Sequence, residues 1–151
     1  MNPLAREDLL DHVEANFKQL KSSIQEEIKT LNLEIASETK SSAGDKFETS
    51  RELMNQSLNQ LQSNLNSILE KINAIEQIKK VSLSDRIGFG SLVFTETKTF
   101  LFGIAHGSFN FQDNTIYLLS LNSPLAKAFV GKRVNDIIGF HSAKYLIKKI
   151  N

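Results

Sequence analysis

The first eighty residues carry one narrow apolar stripe twice, the second time in reverse order. On the way out the apolar positions are Leu10, Val13, Phe17, Leu20, Ile24, Ile28, Leu31 and Ile35; on the way back they are Met54, Leu58, Leu61, Leu65, Ile68, Ile72, Ile75 and Ile78. Steps of three and four are the period of a helix that buries a single seam. Paired from the inside out, Ile35 meets Met54, Leu31 meets Leu58, Leu20 meets Ile68 and Leu10 meets Ile78, with the centre of reflection between Gly44 and Asp45. An antiparallel pair of helices needs this reflection, because every layer must find its partner at the same height. The pattern predicts helices over about 10–41 and 45–78, interrupted at Ser41-Ser42-Ala43-Gly44, where Gly44 suits a left-handed helix end. At 1.5 Å per residue each helix is roughly 45–50 Å long. The outer faces carry Gln, Glu, Lys, Asn and Ser and read as solvated. The expectation is a monomeric antiparallel coiled-coil hairpin over residues 1–80, with an acidic tip near 44–52.

After Lys79-Lys80 the texture changes to short β-branched and aromatic runs at 90–95, 99–104, 115–121 and 143–150, separated by Gly, Asn and Asp. Between them, residues 123–131 read as a short helix. Ser123 is a good N-cap, Pro124 suits the first turn and Gly131 suits the stop. Phe100, Phe102, Phe109 and Phe111 alternate as half-buried strands do, and core is the reading they favour over a binding surface. Eight of the ten phenylalanines lie beyond residue 81, so residues 81–151 read as a second, compact antiparallel domain with its own core. The fold class is α+β.

Composition narrows the function classes. No apolar run approaches the roughly 18–20 residues that span a bilayer, and the acidic, helix-like start is unlike a secretory signal. No cysteine is present, which excludes disulfides and thiolate metal sites and suits a reducing cytoplasm. Net charge is +1, but unevenly placed: residues 1–80 hold 10 basic and 13 acidic side chains, residues 81–151 hold 8 and 4. An acidic hairpin ahead of a basic domain does not resemble a nucleic-acid-binding stripe. It fits a protein that docks by one end and delivers negative charge with the other, or ordinary solvated surface.

At the tip, Asp45 and Glu48 stand three apart at a helix start, which brings two carboxylates together. The same spacing is that of a capping box, in which side chains satisfy the first free N–H groups, and the local pattern by itself favours capping. His12, His106 and His141 are isolated, without metal-ligand spacing. Gly88-Phe89-Gly90 precedes no phosphate-binding helix and reads as a turn.

Taken in order, Gly44-Asp45-x-x-Glu48, Phe89-Gly90-Ser91, Asn122-Ser123-Pro124-Leu125-Ala126, Gly131-Lys132-Arg133-Val134-x-Asp136 and the closing Tyr145-Leu146-Ile147-Lys148-Lys149-Ile150 resemble the GreA/GreB family of bacterial transcript cleavage factors. The resemblance covers nearly the whole chain. It implies an FKBP-like second domain that docks on RNA polymerase and a coiled coil inserted into the secondary channel. It also implies that Asp45 and Glu48 hold a Mg²⁺ shared with the polymerase, beside the nascent RNA 3′ end, without a cofactor of the chain's own. The activity implied is stimulation of the polymerase's own RNA cleavage, not an independent enzyme. The family tip runs Gly-Asp-Leu-Lys-Glu-Asn-Ala-Glu-Tyr; here Lys46-Phe47 exchanges the apolar and basic positions, Arg51 replaces an acid and Glu52 an aromatic. Asn135 stands where Gly is usual. Two other readings fit the chain: a channel-occupying regulator that does not stimulate cleavage, and an FKBP-like chaperone. The absence of Trp weighs against an active isomerase of that fold.

Overall fold

In the computed structural model the described residues are 4–39 and 44–151, with side chains described for 4–37 and 48–151. Helix α1 spans Arg6–Thr39 and α2 spans Gly44–Lys79. At 34 and 36 residues they are about 51 and 54 Å long. Helix α1 starts four residues ahead of Leu10, with Glu7 and Asp8 in its first turn, where carboxylates complement the free N–H groups. Gly44 is the first residue of α2, not the left-handed terminator of α1; residues 40–43 lie outside the described part. By packing, Met1–Glu14 and Asn73–Asn151 form one compact unit and Ala15–Ile72 another.

Within the 15–72 unit both helices contribute to one groove, lined by Leu31 of α1 and Leu61 of α2. Ile24, Ile28, Leu31 and Ile35 are half-buried, as are Met54, Leu58, Leu61 and Leu65. Leu20 departs from the expected seam: it is 42% exposed, while Lys21 is half-buried in its place. From Phe17 the less exposed line steps by four to Lys21 and by three to Ile24, so a lysine stem fills the layer. Leu33 and Leu53 are also exposed, at 64% and 59%.

In the other unit a six-stranded sheet runs β1 (Leu92–Thr95), β2 (Thr99–Phe102), β3 (Gly107–Phe111), β4 (Asn114–Leu119), β5 (Ile137–Phe140) and β6 (Ala143–Ile150), with α3 (Pro124–Phe129) between β4 and β5. The spatial order is β3-β4-β2-β1-β6-β5. All neighbours are antiparallel except β2 and β4, which are parallel. The expected antiparallel domain is therefore mostly, not wholly, antiparallel. Strand β3 takes the outer edge and its hairpin partner β4 returns beside β2, which sets those two strands running the same way. The β3–β4 turn has Gln112 and Asp113 both at positive φ, the two-residue turn that matches strand twist. Strand β5 had no separate signal in the texture, since Ile137-Ile138-Gly139-Phe140 is short and interrupted by glycine.

One sheet face closes over α3. Ile87, Val93, Phe100, Phe102, Ala126, Phe129, Ile138, Tyr145 and Ile147 form this core. The Phe100 ring lies 5.1 Å from Phe129 and edge-on to Tyr145 at 5.6 Å. Ser123 caps α3, its Oγ accepting the Ala126 N–H at 3.1 Å, with Pro124 opening the helix as expected. The helix stops one residue before the expected glycine, at Val130, and Gly131 follows at φ +83.

The second face packs on the root of the hairpin. Leu92, Leu101 and Leu118 share a cross-strand row, and Ile116 and Phe109 lie in the adjacent one. All five are buried. The His12 ring of α1 sits 4.8 Å from Phe111 and 5.7 Å from Phe109. Phe100, Leu101 and Phe102 are thus all buried, because β2 is covered on both faces, not half-buried as the alternation suggested. Gly103 holds φ +126, and a Cβ there would fall 2.7 Å from the Phe89 ring and 3.2 Å from Ile78. Arg6 fastens the root to the sheet, its Nη2 donating to the Ile78 carbonyl at 3.2 Å and the Gly90 carbonyl at 2.9 Å. The Ile78 carbonyl belongs to the last turn of α2, where a cation satisfies a free acceptor. Burial draws the Arg6 pKa below its ordinary value. Lys79 donates to Asp11 at 2.6 Å and Glu14 at 3.1 Å, and the Asp11 hydrogen bond raises its pKa.

Candidate functional site

Asp45 and Glu48 stand in the first turns of α2, one turn apart on the helix. Glu48 is exposed. The side chain of Asp45 lies outside the described residues, and so does any contact between the two carboxylates. The next turn of the helix separates by face. Thr49 and Glu52 are exposed, whereas Arg51 is half-buried, with its Nε enclosed and unpartnered among the described residues.

Arg51 therefore occupies a seam position. It stands three residues before Met54 and seven before Leu58, both on the less exposed line of α2. The apolar stripe does not end at Met54, as the pattern of nonpolar residues alone suggests; it continues one layer with a cation. The signal was present in the spacing and was hidden by the residue type. An enclosed Nε–H loses hydration and needs a compensating acceptor.

Among the described residues no group of three or more His, Asp and Glu side chains could hold a metal ion. Two carboxylates match Mg²⁺ in donor type, since it takes oxygen ligands, but they supply only part of a coordination shell. A cation would have to be shared with donors from elsewhere. None of the histidines adds to the site. His12 packs on Phe109 and Phe111, His106 on Phe109, and His141 on Phe140 in the β5–β6 turn. Gly88-Phe89-Gly90 is the turn its composition predicts, with the Gly88 N–H donating to Ser91 Oγ at 2.9 Å and Gly90 at φ +85. Asn135, where the resemblance expects glycine, adopts φ +76, a left-handed conformation that Asn tolerates better than other side chains.

Among the described residues no helix is long and apolar enough to cross a membrane. No family profile matches this chain, and no solved structure matches it. The chain is 33% identical over 87 residues to transcription elongation factor GreA of Wigglesworthia glossinidia brevipalpis, a match covering 51% of this chain and 52% of that relative. The chain thus matches about half the length of this relative. The likeness supports kinship with the Gre transcription elongation factors and does not separate GreA from GreB.

Proposed function

We propose that this protein is an RNA polymerase-binding transcription elongation factor that stimulates cleavage of backtracked RNA. The observation that carries the reading is the conjunction of a helical hairpin, with Glu48 exposed one turn beyond Asp45 at the start of its second helix, and the GreA likeness. Two helices each about 50 Å long around a narrow seam suit insertion into a channel too small for a globular domain. In this reading Asp45 and Glu48 supply oxygens to a Mg²⁺ held jointly with the polymerase and the RNA phosphate. When bound there, the ion would supply water orientation and charge stabilisation for phosphodiester hydrolysis, and Asp45 and Glu48 would be the residues of this chain that hold it. The chain's own contribution is to deliver the two carboxylates on a stiff support and to exclude other solutes from the channel. It is not an enzyme by itself, has no resident cofactor, acts as a monomer and works in the cytoplasm.

The test separates metal holding from helix capping. Asp45→Asn keeps an N-cap of nearly equal quality, so folding and polymerase binding stay near wild type. Asp45→Asn and Glu48→Gln each slow Mg²⁺-dependent RNA shortening in stalled, backtracked complexes by at least about tenfold, roughly 1.4 kcal/mol of barrier. Equal cleavage with wild type and both variants rejects the metal role. The half-buried Arg51, in place of an acid, favours a second reading: occupation of the channel without cleavage. Binding by all three proteins with cleavage by none selects it.

A further inference from the structure

Where the hairpin root leads into the sheet, the chain closes around a cavity of about 70 Å³, several times the roughly 10–15 Å³ that one water needs. Two arginines, Arg6 and Arg86, and three serines line it, and no Asp or Glu does. Glu7 and Asp85 adjoin the arginines in the chain but stand outside the lining. Asn151 closes one wall, its backbone N–H and carbonyl both paired with Leu92 at 2.8 Å.

Donors around this cavity outnumber acceptors. The Ile78 and Gly90 carbonyls engage Arg6 Nη2 and fix the guanidinium, but its Nε is enclosed and has no acceptor among the described residues. A buried donor without an acceptor carries the full cost of its lost hydration. Burial outweighs the field of Glu7 and draws the Arg6 pKa down, so an anion beside it offsets a cost that the fold already bears. Two of the serines are also set up to donate. Ser91 Oγ accepts the Gly88 N–H at 2.9 Å and Ser84 Oγ accepts the Arg86 N–H at 3.2 Å, which leaves the hydrogen of each hydroxyl for another acceptor. Arg86 is exposed, at the mouth of the cavity. An oxyanion suits this set, and a phosphoryl group suits it better than a carboxylate. Two guanidinium forks and three hydroxyls can serve the three or four oxygens of a tetrahedral group, where a planar carboxylate offers two. The lining adds one ring: Phe89 lies against Gly103 and is 37% exposed, a surface on which a base can stack.

We infer that this cavity binds a phosphoryl oxyanion, either free phosphate or the phosphoryl group of a nucleoside monophosphate, with Arg6 and Arg86 as its cations and the serine hydroxyls as further donors. The site uses neither Asp45 nor Glu48 and stands or falls separately from the function proposed above.

The experiment titrates the full chain with sodium phosphate and, separately, with adenosine monophosphate, by calorimetry at constant ionic strength. Wild type binds at least one of the two with a Kd below about 10 mM, and its thermal unfolding midpoint rises as that compound is added. Arg86→Gln, a change on an exposed side chain, weakens binding by at least about fivefold while the midpoint without ligand stays at the wild-type value. Arg6→Lys keeps the charge, loses the planar fork and weakens binding as well, read at a temperature where its fold is intact. Arg133→Gln removes a cation outside the cavity and retains affinity within about twofold. Tighter binding of adenosine monophosphate than of phosphate, brought down to the phosphate value by Phe89→Leu, supports the site with a nucleotide as its ligand. Equal affinities support it with the free oxyanion. Neither heat nor a midpoint shift from either compound at about 10 mM overturns the site. Unchanged affinity in Arg86→Gln overturns it too, as does an equal loss in Arg133→Gln, which would assign the binding to overall charge.

Discussion

The two packing units hold themselves together by opposite means. In the sheet unit, strand β2 is enclosed on both faces, and Phe100, Leu101 and Phe102 have almost no contact with solvent. In the 15–72 unit the seam residues Ile24, Ile28, Leu31, Met54, Leu58 and Leu61 are all only half-buried. Phe17, Ile68 and Ile72 of the same unit are buried, but over 24–35 and 54–65 each seam residue keeps part of its surface in water. Apolar burial contributes about 25 cal/mol per Å², so a half-buried leucine stabilises about half as much as an enclosed one. Layer for layer, that stretch of the seam therefore gains less from burial than the sheet core does.

A matched pair of truncations puts this contrast to its strongest test. Phe100→Ala removes a ring packed against Phe102, Tyr117, Phe129 and Tyr145, and is expected to cost about 3–5 kcal/mol in denaturant unfolding. Leu58→Ala in the seam is expected to cost less than half as much. Equal losses would mean that the seam is as enclosed as the sheet core.

A second test asks how tightly the sheet and the hairpin root are joined. Gly103→Ala places a Cβ against Phe89 and Ile78 on a backbone at φ +126, and should lower stability by about 1–3 kcal/mol. Thermal unfolding measures it, and an unchanged midpoint would show a junction looser than its geometry.

On the hairpin side, the informative layer is the one where a cation replaces an apolar residue. Arg51→Leu should stabilise the start of α2 by about 1 kcal/mol, seen as slower amide hydrogen exchange around residues 51–58 with no change in β2. Faster exchange would mean that the guanidinium closes the seam better than a leucine.

The smallest effect is electrostatic. Lys79→Met removes an exposed bridge to Asp11 and Glu14, worth under about 1 kcal/mol at neutral pH after solvent screening. The Lys79 pKa is raised, so its stabilisation is fully present below the ordinary lysine value of about 10.4 and fades as pH rises through the folded value. The stability difference between wild type and variant should therefore close at strongly alkaline pH. A gap that persists there would assign it to packing of the lysine stem.

Features that repeat or cap locally were legible in the chain itself. The reflected stripe specified two antiparallel helices because a seam of period three to four has one way to close on itself. Ser123 and Pro124 specified the start of α3, and four strands followed from β-branched and aromatic runs, since these signals act between neighbours in the chain. The spacing of Asp45 and Glu48 leaves their role undecided between cap and metal, because both uses share it, and the Asp45 side chain lies outside the described residues. Other features exist only once distant segments meet. Lys21 instead of Leu20 in the seam, Arg51 as a seam residue, the parallel β2–β4 pairing and the burial of β2 on both faces depend on which surfaces come together. Alternation along a strand marks two sides, but which side of the sheet the hairpin root covers is settled by contacts between distant residues, such as His12 with Phe109 and Arg6 with Gly90.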